Sequence, residues 1–177
     1  MTNPLDPIWD AFQTVTNALK VVRRCTTQLP SADAERPLRN TRFHRVPQAD
    51  CLQLLASAEE RVEDHTVLGL CAAFETALRR HLAQQSQHFR THANDPDAQF
   101  GQKLAVVYED YCENARMDDI AALFSSTVGS TLVAQAGHIR QYRHWVAHGQ
   151  RWTAPPPASA RFAYETLTEF LRLCGLA

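Results

Sequence analysis

Tyr142 to Gly149 reads YRHWVAHG, which brings Arg143, His144 and His148 together with two aromatic rings in eight residues. A core helix would carry aliphatic residues here and a solvated one would mix in Glu and Lys, so the segment fits neither. In a helix each residue advances about 100°, which puts His144 and His148 on nearly one face with Arg140 on the same stripe. Arg143 lies about 140° round from His148, and its long side chain reaches past the helix end if the last turn loosens at Gly149. The four groups can then converge on one anion. Histidine titrates near neutral pH and serves as base or acid, while a guanidinium grips a phosphate through two parallel hydrogen bonds. RNA cleavage by 2′-hydroxyl attack needs both: an acceptor for the hydroxyl proton and a cation for the extra charge on the phosphorane. No metal is required for that chemistry. The plainer reading of the same residues is a pair of surface or interface histidines.

Other chemistries find less in the sequence. Two His four residues apart can chelate zinc, but metalloprotease-type sites carry Glu directly after the first His; here that position is Trp145, and no third ligand stands nearby. The five Cys (25, 51, 71, 112 and 174) are odd in number, scattered and without a CxxC pair, so they read as small core residues and not as a disulfide framework, zinc site or cysteine nucleophile. No Gly-rich stretch offers a phosphate loop. The expectation is a site with no metal and no cofactor.

Charge placement supports an anion site near the motif. The net charge is −1, so affinity for nucleic acid cannot come from a global positive field. From Ile120 through Tyr164, however, there is no Asp or Glu, while Arg140, Arg143, Arg151 and Arg161 supply four positive charges. The average acid frequency of the chain would have placed about five there. A second basic segment, Lys20 to Arg45, carries seven Lys and Arg against Asp33 and Glu35, and its Pro, Ser and Asn content reads as an extended loop with solvated charge.

The elements that must position these groups are helical. Asp6 and Pro7 read as N-cap and first helical residue, with Ile8, Phe12, Val15, Leu19 and Val22 at helical spacing to about Thr27. Leu29 to Pro47 reads as a long connecting loop. Leu52, Leu54 and Leu55 begin a short helix, and a longer one starts at about Glu59. Thr91 to Asp97 is a polar turn, followed by a helix through Phe100, Leu104, Val107, Tyr108 and Tyr111 and a short one from Met117 to Phe124, with Asp118 and Asp119 in its first turn as the dipole favours. The segment from Ser125 to Ser130 is ambiguous. The motif helix runs from Leu132 through His148, stopped by Gly149 in the left-handed conformation. Pro155, Pro156 and Pro157 forbid a helix in the next loop, and Ser159 caps the last one. No strand pair carries hairpin chemistry. The fold class is all-α: a single bundle of about five or six helices spanning 1–177, with about 1–47 an N-terminal helix and loop of unassigned role.

At 177 residues the chain buries a sizeable core without disulfides or metal, and no apolar run approaches the ~18 residues of a membrane span. The opening MTNPLDPIWD has early acids and no basic region before an apolar stretch, so it does not read as a signal peptide, and a cytoplasmic location is expected.

Arg143, four intervening residues and His148, with polar His144 directly after the Arg and Gly149 after the His, resemble the RX4H signature of the HEPN superfamily of helical nucleic-acid-binding domains and ribonucleases. The segment VLGLCAAFETALRRHL, residues 67 to 82, is similar to an earlier HEPN helix in which an apolar run leads into an aromatic and a Glu. The likeness covers about residues 50 to 175. It implies a dimer in which the Arg and His of two protomers share a cleft and cut RNA without metal, leaving a cyclic phosphate, in a bacterial toxin-antitoxin or antiviral defence system with an antitoxin or other partner protein. Carried over, His148 is the general base or acid, Arg143 the phosphate clamp and His144 the residue that positions them. Arg140, Tyr142 and Arg151 then contact substrate, and Glu75 orients Arg143 or a histidine from another helix, where the residues alone equally allow an Arg79-paired Glu. Members paired with a minimal nucleotidyltransferase antitoxin carry a modified Tyr two residues after the His. Gln150 stands there, which argues against that pairing. The alternative implied by the same likeness is a non-catalytic module that binds RNA, nucleotide or a protein partner.

Overall fold

The computed structural model describes residues 2–28, 36–91, 98–149 and 151–177. Among them the fold is all-α, with no strand. Helix α1 is Asp6–Gln28, α2 is Gln48–Thr91, α3 is Ala98–Asn114, α4 is Met117–Leu123, α5 is Ser125–Val128, α6 is Ser130–Ala147 and α7 is Ala160–Leu173. Residues 36–38 are also helical. The described residues hold more helices than the expected five or six, one of them, α5, in the segment whose sequence was ambiguous.

Two boundaries differ from expectation for local reasons. The separate helices expected near Leu52 and Glu59 are one 44-residue helix, α2, since nothing between Gln48 and Thr91 is a proline and Ala56, Ser57 and Ala58 sit comfortably in a helix. Asp6 is the first residue of α1 and not the cap before it; its carboxylate accepts a hydrogen bond from Tyr164 Oη at 2.8 Å. Most of the expected turn at Thr91 to Asp97, the first part of the loop after Leu29, and Gln150 lie outside the described residues.

The chain divides into two compact units, Met1–Asp6 with Val67–Ala177, and Pro7–Thr66. The smaller unit comprises most of α1, the segment 36–47 and the start of α2. Its buried residues include Cys25, Leu38, Cys51 and Leu55, and Arg23 donates to Glu59 at 2.6 Å. The larger unit holds the motif. Its centre is built from Leu70, Phe74, Leu78, Ile120, Ile139, Leu167, Phe170 and Leu171, all buried, with Phe74 edge-on to Phe170 at 5.1 Å between ring centroids. Leu5 is fully buried in the same unit, tied down by Asn3, whose Nδ2 donates to Thr168 Oγ1 at 3.0 Å. Burying such side chains stabilises by roughly 1.5–3 kcal/mol each, which is what keeps α2, α4, α6 and α7 in fixed relation around the motif. Four of the five cysteines are buried and Cys174 is half-buried; none is disulfide-bonded.

Candidate functional site

Both ends of the motif are set by local chemistry. Helix α6 ends at Ala147 with His148 as its C-cap, whose amide donates to the His144 carbonyl at 3.1 Å. Gly149 follows at φ +71°, the left-handed conformation that a glycine adopts without steric cost. Ser159 caps α7 by accepting from the Phe162 amide at 3.2 Å. Between them the proline-rich loop is pinned back on α6: His138 Nε2 donates to the Pro156 carbonyl at 2.8 Å, and Trp145 Nε1 donates to the Trp152 carbonyl at 2.9 Å.

That second bond carries Trp152 over the histidines. The His144 and His148 rings meet edge to face at 4.2 Å, and the Trp152 indole lies 5.4 Å from His144 and 5.8 Å from His148. All three residues are exposed. Loss of hydration beside these neighbours, followed by the charges of His148, Arg140 and Arg143, holds the His144 imidazole below the ordinary histidine range. His144 therefore stays neutral at pH values where an isolated imidazole begins to protonate. Trp152 had no signal in the sequence, since a loop residue before three prolines belongs to no periodic pattern.

About one turn back along α6, a cavity of about 230 Å³ has Arg140, Arg143, Glu75, Cys71, Asp118 and Arg116 among its walls and Phe74 and Leu167 as apolar floor. Arg140 makes a bidentate pair with Asp118, Nε to Oδ1 at 2.6 Å with Nη2 on Oδ2, so its charge is largely answered. Glu75 lines the same cavity as Arg143, as its place on an earlier helix suggested, but its carboxylate bonds go to Arg79, with Nη2 at 3.0 Å and Nε at 3.2 Å. Arg79 in turn donates to the carbonyls of Cys112, Glu113 and Ala115, satisfying the end of α3. Arg143 is half-buried and makes no ion pair among the described residues. Burial pushes the Cys71 thiol up to about 12, against the pull of Arg143 and Arg140.

Tyr142 is half-buried with its ring 5.7 Å from Trp145, itself half-buried. Arg151 is exposed beside Trp152 in sequence. Arg161 pairs with Glu165 at 2.7 Å on α7. The acid-free window is thus acid-free only along the chain, because Asp118 and Glu165 fold back from just outside it. Among the described residues no three His, Cys, Asp or Glu side chains are grouped to hold a metal ion. Among the same residues no helix is long and apolar enough to cross a membrane. No protein-family model, no curated protein and no solved structure matches the chain.

Proposed function

We propose that this chain is a metal-independent endoribonuclease of the HEPN type, acting as a homodimer in a bacterial toxin-antitoxin or antiviral defence system. The observation that carries the reading is the exposed His144 and His148 pair at the end of α6, with Arg143 one residue away and free of a carboxylate partner. In the proposed reaction His148 takes the proton from a ribose 2′-hydroxyl as that oxygen attacks the adjacent phosphorus. Arg143 stabilises the phosphorane, the bond to the 5′-oxygen breaks, and an imidazolium returns a proton to that oxygen. The products are a 2′,3′-cyclic phosphate and a 5′-hydroxyl. The low proton affinity of His144 suits a neighbour that positions the base without competing for the proton.

Arg143 lines the cavity while His148 stands on the surface, and in the proposed dimer the Arg or His of a second protomer completes the site. The second reading is a module that binds RNA, nucleotide or protein without cutting. Labelled total RNA incubated with the protein in excess EDTA, beside His148→Ala, distinguishes them. Cleavage by the wild type alone, with cyclic-phosphate ends, is the expected result. Intact RNA with a folded, dimeric protein overturns the enzyme reading in favour of the module.

A further inference from the structure

Of the ten large apolar side chains exposed among the described residues, five sit on α3: Phe100, Leu104, Val106, Val107 and Tyr111. Phe100 and Val107 are 67% and 65% exposed, far more than a chance surface residue needs explaining. The inner face of the same helix is conventional. Gly101, Ala105, Tyr108 and Cys112 form the side packed toward α2, where the Tyr108 ring meets Phe89 edge-on at 5.4 Å and a Cβ at Gly101 would stand 2.6 Å from the Phe89 carbonyl oxygen. Phe100, Leu104, Val107 and Tyr111 each precede one of those residues, so their stripe lies about 100° round the helix, outside the packed face.

The spacing of the stripe is four, three and four residues, the repeat that lets two helices interlock along a straight seam. Its chemistry is symmetric about its own midpoint. Reversed end for end, Phe100 falls on Tyr111 and Leu104 on Val107, aromatic on aromatic and aliphatic on aliphatic. Flanking it on one side are Lys103 and Asp110, both exposed and neither in an ion pair among the described residues. In an antiparallel pairing each Lys103 stands beside the Asp110 of the other copy, twice by symmetry. A face that maps onto itself in apolar character and onto its opposite in charge is what an isologous twofold contact requires. The stripe and its flanks expose on the order of 500 Å² per copy, which doubled reaches the roughly 1,000 Å² of a specific interface.

We propose that α3 is a homodimer interface, pairing antiparallel with the α3 of a second copy through Phe100, Leu104, Val107 and Tyr111, with reciprocal Lys103 and Asp110 ion pairs. It does not rest on the ribonuclease reading, and its test reads mass and not cleavage. Sedimentation equilibrium of the full chain at micromolar concentration should give a dimer. V107E, at a position exposed in the single chain, should leave helicity unchanged and weaken the dimer at least about a hundredfold. K103E alone and D110K alone each set like charges against each other across the twofold and should weaken it about tenfold, while an equimolar mixture of the two restores dimers because both cross-chain pairs are again of opposite sign. A wild-type monomer overturns the proposal, including one in which α3 is shielded from hydrogen exchange by another part of the chain. So does a dimer that V107E leaves intact, or a mixture of the two charge variants no better associated than either alone.

Discussion

Two successive stretches of α6 carry the same kinds of residue and put them to opposite use. At the cavity, Arg140 is answered by Asp118 and Glu75 by Arg79. Toward the end of the helix, His144, His148 and Trp152 are exposed, their rings 4.2 to 5.8 Å apart. Paired charges next to an apolar floor hold a shape, because breaking one leaves its partner partly buried and unanswered. Exposed imidazoles beside an indole hold a position without spending their hydrogen-bonding capacity. Arg143 lines the cavity and directly precedes His144, so it belongs to both stretches.

On that division, substitutions of the motif's Arg and His change chemistry and those of the cavity's apolar floor change stability. His148→Ala and Arg143→Ala should each lower RNA cleavage by about 10²–10³-fold with the melting temperature held, in single-turnover assays on labelled RNA. Unchanged cleavage by either variant removes that residue from the mechanism. Phe74→Ala, at a side chain only 5% exposed, should cost about 3 kcal/mol of unfolding free energy by chemical denaturation, since the hole it leaves adjoins Phe170. A cost near zero would mean that the cavity floor is not core. Trp152→Ala should weaken RNA binding about tenfold, the worth of one stacked base, with stability unaltered; a destabilised fold with normal binding would make the indole a structural prop.

The smallest effect lies in titration. The folded chain holds the His144 pKa below the ordinary value of about 6.5, so it disfavours the protonated ring. As pH falls through that ordinary value the unfolded chain takes up the proton first and stability drops; above it the group contributes no pH dependence. Two-dimensional NMR should find His144 titrating low, and His148→Ala should move it upward, though only in part, since lost hydration is the larger cause. A His144 pKa indifferent to residue 148 would break the idea of one coupled ring cluster.

Features governed by a few adjacent residues were legible in the sequence. Gly149 stops α6 and Ser159 caps α7 because a left-handed φ and a side-chain oxygen at an N-cap are decided within one turn. The gap from Ile120 to Tyr164 gave the wrong impression of an acid-free site, because a window along the chain is blind to Asp118 arriving from the preceding helix. Trp152 escaped for the converse reason: its place over the histidines depends on a backbone carbonyl that Trp145 captures. Glu75 had two partners open to it in the sequence, and its bonds go to Arg79, whose own position is fixed by the carbonyls left at the end of α3.

The buried Cys71 gives the cavity a clock. Alkylating reagents attack the thiolate, and burial holds this thiol far above the ordinary range, behind walls a reagent must also pass. Its modification therefore follows the share of time that the surrounding helices are parted. The labelling half-life of this one sulfur, followed by mass spectrometry, becomes a reading of how open the floor beside Arg143 is, and binding at the histidine end of α6 that stiffens the helix should lengthen it.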